Sequence, residues 1–155
     1  MIVISDTSSI SNLITIGRVE LLGLLFGEVI IPSAVQDELT VKHFSLPAFV
    51  KVGAIADHAA VVALTEELLD DGEAEAIVLA GELHADFLLM DETDGRAIAK
   101  QRGIRVIGLL GVLVEAKRHG FLPEVRPVLD QLQHEAAFWF SAKVREQILA
   151  LAGEA

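Results

Sequence analysis

Cysteine is absent from the chain, which excludes disulfides, thiolate metal sites and a cysteine nucleophile. Basic residues are scarce: 12 Lys and Arg stand against 23 Asp and Glu, for a net charge of −11. That excludes a protein that holds nucleic acid by a broad basic surface. It leaves an acidic cluster that holds cations, or the commoner case of an acidic surface that is simply solvated. Long hydrophobic runs are missing too. The longest, over residues 106–114, includes two glycines and falls far short of the ~18 residues needed to span a bilayer. The first residues show no basic leader region and no small-residue cleavage site, so the expected address is the cytoplasm, with no membrane partner. His43, His58, His84, His119 and His134 have no metal-ligand spacing. The small basic groups at Lys100, Arg102 and Arg105 and at Lys117, Arg118 and His119 read as solvated surface.

What is present is an apolar chain, 52% hydrophobic over 155 residues, enough for one domain with a sizeable core. It has no repeat, low-complexity stretch or linker, so residues 1–155 are taken as one unit. The organising stretch is Ile2-Val3-Ile4-Ser5-Asp6-Thr7-Ser8-Ser9. Three β-branched residues run into an acid and then into small hydroxyl residues. This predicts a buried parallel strand that ends at Asp6, with the hydroxyls capping the next helix. Helices follow over residues 8–16 and 18–26, stopped by Gly17 and Gly27. A second strand over 28–31 leads into a helix opened by Pro32, over 32–39. A short edge strand at 49–52, helices over 59–69 and 73–83 with Asp71 as cap, and a strand over 87–90 come next. A helix over 93–102, a strand over 105–107 and helices over 109–117, 125–133 and 143–151 complete the chain. Such alternation predicts an α/β fold with a central parallel sheet covered on both faces.

Four acids fall at comparable places. Asp6 ends the first strand, Glu38 lies on the helix after the second, Glu73 opens a mid-chain helix, and Asp91 ends the strand over 87–90. Ligands of open parallel sheets sit past the carboxyl ends of the strands, and all four acids can reach that edge. Taken singly, each has a plain structural reading. Asp6 is a helix cap, Glu38 beside Asp37 a solvated helix face, Glu73 an acid favoured by the helix dipole, and Asp91 with Glu92 a strand-end loop. Taken together, their order and positions favour a shared site. Hard divalent ions such as Mg²⁺ bind carboxylate oxygens and suit phosphate substrates.

In this order, Asp6-Thr7-Ser8, Pro32-Ser33-Ala34-Val35-Gln36-Asp37-Glu38, Gly72-Glu73-Ala74-Glu75-Ala76-Ile77 and Leu88-Leu89-Met90-Asp91-Glu92 resemble the PIN domain, and more closely its DUF3368 branch. The resemblance extends through Gly108-Leu109-Leu110-Gly111-Val112-Leu113 to Ala152-Gly153-Glu154. It implies a PIN-like three-layer α/β/α fold and a ribonuclease dependent on Mg²⁺ or Mn²⁺. It also implies an RNA substrate and, often, the role of toxin beside a small antitoxin protein. By the same resemblance Asp6, Glu38, Glu73 and Asp91 are the catalytic and metal-holding acids. The third is Glu where PIN ribonucleases often carry Asp, and Glu75 is its close rival. A homodimer is implied as well, and the adjacent Phe138, Trp139 and Phe140 supply an apolar patch consistent with one.

Thr7, Ser8 and Ser9 have a second reading as contacts to a phosphate, Asn12 as a residue orienting Asp6, and Arg96 as a phosphate contact or a surface ion pair. A phosphoaspartate enzyme needs an acid two residues after Asp6, where this chain has Ser8. A phospho-acceptor receiver needs a Lys after the last strand, where Gly108 and Leu109 stand. The remaining alternative to a nuclease is a PIN-like module without activity that binds a partner protein.

Overall fold

A computed structural model describes residues 1–67 and 69–155. Five parallel strands, β1 (Val3–Ser5), β2 (Val29–Ile31), β3 (Val50–Val52), β4 (Phe87–Leu89) and β5 (Val106–Ile107), form one sheet in the order β3-β2-β1-β4-β5. The register sets Ile4 beside Ile30 and Leu88, so β1 lies at the centre. The chain winds outward from β1 through β2 to β3. It then crosses back, through α4 (His58–Thr65) and α5 (Asp71–Glu82), to lay β4 on the other side of β1. The gap between β1 and β4 is therefore the topological switch point, where such sheets bind ligands.

Alternation along the short strands sends side chains to two separate cores. Val3 and Leu89 enter a core with α1 (Thr7–Thr15), α2 (Glu20–Phe26), α3 (Ser33–Lys42), α7 (Leu109–Arg118), α8 (Arg126–Glu135) and α9 (Ala142–Leu151). Ile4 and Leu88 enter a second core with α4, α5 and α6 (Thr93–Gln101). Both faces of the sheet are covered, giving the expected three layers. Among the described residues, no helix is long and apolar enough to cross a membrane.

Several boundaries differ from the sequence reading. The cap of α1 is Asp6, as its plain structural reading had it, its side chain accepting from the Ser9 N–H; the expectation that the hydroxyls after it cap the helix does not hold. The cap of α5 is Asp70, accepting from the Glu73 N–H at 2.8 Å, and not Asp71, which is the first helical residue. The helix expected over 59–69 runs only over His58–Thr65, with residue 68 outside the described set. α3 continues to Lys42 because Thr40, Val41 and Lys42 contain no helix breaker, and it ends at the extended His43.

Candidate functional site

Asp6 follows β1 directly and is 3% exposed. Its backbone N–H donates to the Leu89 carbonyl at 3.1 Å, which locks the end of β1 to β4. Its carboxylate accepts from the Ser9 N–H at 3.2 Å and the Ser8 hydroxyl at 3.4 Å. Burial pushes its pKa up to about 7. The Ser9 N–H acts against that rise, and the nearby charge of Asp91 adds to it. Asp6 is thus both a helix cap and an acid held at a cost away from water.

Asp91 lies two residues beyond β4, at the same carboxyl edge. Its Oδ1 accepts from the Leu109 N–H at 3.0 Å, so it supplies the side-chain cap that Gly108 cannot give α7. The Ser9 hydroxyl lies 3.5 Å from its Oδ2 and bridges it to the Asp6 cap. Burial raises its pKa, against the Leu109 N–H and the Arg96 charge, which lower it. The Arg96 guanidinium donates to the Met90 carbonyl at 2.9 Å. A Cβ at position 108 would stand 2.8 Å from Asp91 Oδ1 and 2.9 Å from Arg96 Nη1, so glycine there lets both side chains close on the turn. Arg96 is committed to this strand end and forms no surface ion pair among the described residues.

Glu38 and Glu73 come from the opposite wall. The Thr7 hydroxyl donates to Glu38 Oε2. A Cβ on Gly72 would come within 2.7 Å of Glu38 Oε1, so α5 approaches Glu38 closely because residue 72 has no side chain. Glu73 has its pKa pushed up to about 7, first by burial and then by the charges of Asp70 and Glu92. Asp6, Thr7, Ser8, Glu38, Lys42, Asp70 and Glu73 line one cleft of about 170 Å³. Asp91 sits beside it, joined to Asp6 through Ser9.

Glu75 turns elsewhere: its carboxylate accepts from the Ala34 N–H at 3.1 Å and the Ser33 hydroxyl at 3.3 Å, satisfying the first turn of α3. Among the described residues Asn12 makes no side-chain hydrogen bond to Asp6. Lys42 and Asp70 were not singled out by sequence reasoning. Lys42 carries a signal in its spacing, one turn after Glu38 on α3, whereas Asp70 is marked only as one of a pair of acids before a glycine.

The donors around the cleft are carboxylate and hydroxyl oxygens, the ligand chemistry of a hard divalent cation. Among the described residues no group of three or more His, Asp or Glu converges tightly enough to hold an ion as the side chains stand. The raised acids fit a cation in another way. Carboxyls crowded without a counter-charge retain protons, and a cation arriving among them would displace those protons.

No curated protein matches the chain. A PilT N-terminus domain protein from the hyperthermophilic archaeon Sulfolobus solfataricus P2 shares its fold, with a TM-score of 0.54 at 22% identity, over 75% of this chain and 93% of that one. The DUF3368 family, described as a PIN domain, matches residues 2–154. With the parallel sheet, its switch point at Asp6 and Asp91, and this match over almost its whole length, the chain belongs to the DUF3368 family of PIN domains.

Proposed function

We propose that the protein is a metal-dependent ribonuclease that hydrolyses RNA phosphodiesters, using Mg²⁺ or Mn²⁺. The observation that carries this reading is the buried Asp6 at the switch point, with Asp91 one hydroxyl away and Glu38 and Glu73 lining the same cleft. A bound divalent ion would supply Lewis acidity, polarising a water and the phosphate it attacks. The chain's own residues do the rest. Asp6 and Asp91 are anchored by backbone N–H groups, which fix where their remaining oxygens sit. Thr7 orients Glu38, and Gly72 makes room for it. Burial holds the carboxyls of Asp6 and Glu73 up at about 7, so a cation held among them would compete with their protons, and metal affinity should rise with pH across neutrality.

The biological setting we propose is that of a cytoplasmic toxin paired with a small antitoxin protein, acting as a homodimer. The test is RNA cleavage by the purified protein with and without Mn²⁺, beside Asp6→Asn. Cleavage that needs Mn²⁺ and disappears in the variant supports the reading. An intact RNA in every lane leaves the second reading, a PIN module that binds a partner protein.

A further inference from the structure

We propose that the apolar pocket between α2 and α7 binds a small neutral aromatic molecule with one hydrogen-bond donor, an indole or a phenol, and that His119 Nε2 accepts that hydrogen bond. The pocket shares no residue with the acidic cleft, so the site goes beyond the nuclease reading and does not depend on it.

The fold brings apolar residues together at the amino ends of the strands, whereas Asp6 and Asp91 stand at the carboxyl edge. Met1 stands ahead of β1, and Phe87 opens β4. Leu25 and Phe26 close α2, and Glu115 lies in the last turn of α7 with His119 just after that helix. Together with Ile107 they line a pocket of about 410 Å³. Close packing leaves few voids larger than a water molecule. About 150 Å³ is enough to hold a benzene. The walls suit a ring: Leu25, Phe26, Phe87 and Ile107 are only partly buried, with the first core packed behind them. The rings of Phe26 and Phe87 are tilted at 42° with centroids 6.5 Å apart, which leaves edges and faces for a third ring.

An apolar hollow alone names no ligand, and His119 supplies the polarity. Its Nδ1 lies 2.9 Å from the Glu115 carbonyl. A carbonyl only accepts, so Nδ1 carries the proton, and in the neutral imidazole Nε2 is the acceptor. Nε2 has no hydrogen-bond partner among the described residues. The imidazole also stacks on Phe121 at 12°, with centroids 6.2 Å apart. Two contacts thus hold the ring in place, and a lone polar group so fixed in an apolar pocket orients what enters. Charge narrows the class further. Glu115 is the one acid on the wall and the chain carries −11, which disfavours an anion. A cation would find the Glu115 carboxylate already accepting from Arg118 at 2.7 Å. A neutral ring with an N–H or O–H meets every wall.

The experiment is calorimetric titration of the full-length protein at pH 8 with three probes. Indole carries the donor, 1-methylindole has nearly the same shape without it, and indole-3-carboxylate adds a charge. Indole should bind saturably. 1-Methylindole should bind several-fold to about tenfold more weakly, the worth of one hydrogen bond, and the carboxylate more weakly than indole. His119→Phe keeps a flat ring beside Phe121 and removes the acceptor. It should bind indole and 1-methylindole alike, at an unchanged melting temperature because His119 is exposed. Leu25→Trp fills the pocket from its wall and should abolish binding of both; if that variant fails to fold, the His119→Phe titrations still decide. Indole that does not saturate up to the millimolar range overturns the proposal. So does 1-methylindole that matches indole on the wild type, a preference for indole that survives His119→Phe, or a carboxylate that binds tightest. Indole binding that appears only after Trp139→Ser would give the pocket to the tryptophan of a second copy of the chain and overturn the small-molecule site too.

Discussion

Asp6 couples stability to pH with a definite sign. Its folded pKa lies near 7, above an ordinary aspartate value of 3.8, so the folded state holds its proton more tightly than the unfolded chain. The stability this gives is present below pH 4 and is lost as pH rises toward 7. A rise of that size corresponds to on the order of 4 kcal/mol at pH 8. Asp91 and Glu73 tilt the curve the same way. Asp6→Asn keeps a good helix cap and removes the charge. The metal-free variant should therefore melt at or above the wild-type temperature at pH 8, and its stability should change less between pH 5 and pH 8. Mn²⁺ binds only the folded state and should raise the wild-type melting temperature by mass action. The variant should gain much less. Melting curves of both proteins at the two pH values, with and without Mn²⁺, check this. Coincident curves and no metal shift would make Asp6 a cap and nothing more.

At the scale of elements, α5 offers a paired experiment on two glycines. Gly81 has open space where its Cβ would be, and its φ is not in the left-handed region. Gly81→Ala should stabilise by about 0.5–1 kcal/mol, the usual gain from helix propensity and a less flexible unfolded chain. Gly72→Ala brings the same propensity gain but drives a Cβ into Glu38. It should lose that gain and reduce the Mn²⁺ shift, because Glu38 must move off Thr7. Urea unfolding and metal titration of the two variants separate packing from site geometry. Equal behaviour would remove any role for the close approach of α5 to Glu38. Glu154 ties three further elements together. It accepts from the Val125 N–H at 2.7 Å, the Arg126 N–H at 3.1 Å and Lys117 at 3.0 Å. Desolvation raises its pKa, but these donors outweigh that and leave it lowered. Its contribution is present above the ordinary glutamate range and lost as pH falls below it, opposite to Asp6. Glu154→Ala should cost about 1.5–3 kcal/mol at pH 7, read by denaturant midpoint, and less at pH 3.

The same elements show what could be seen before the fold. The first strand was legible because three β-branched residues stop at an acid, and the strand over 87–90 for a similar reason. Those two endings put Asp6 and Asp91 at one edge once the sheet was taken as parallel. The choice between Glu73 and Glu75 was not legible. Their separation is two residues, and only the seating of α5 against α3 sends Glu75 to the Ala34 N–H while Glu73 faces the cleft. Glu38 had the look of a surface acid because its partners, Thr7 and Gly72, are distant in sequence. Lys42 went unremarked because a lysine at a helix end is ordinary until the wall it joins is known.

For the molecule as a whole, the open question of surface is the apolar patch expected at residues 138–140. Phe140 is buried and Phe138 packs against the core, so the patch reduces to Trp139, 81% exposed on the turn between α8 and α9. An indole left in water is a natural point of association, and it suits the homodimer proposed above. It is also the chain's one tryptophan, so its emission reports on this place alone. If the dimer closes over it, the emission maximum should move to shorter wavelength as protein concentration rises, in step with a doubling of mass by light scattering. Trp139→Ser should shift the balance to monomer while leaving the melting temperature of the monomer nearly unchanged, since the side chain contributes little to either core. A red emission maximum at every concentration, with monomer mass up to the micromolar range, would place Trp139 outside any dimer contact. Dimer mass with the same red emission would put the interface on another face, and the serine variant would then associate as wild type does.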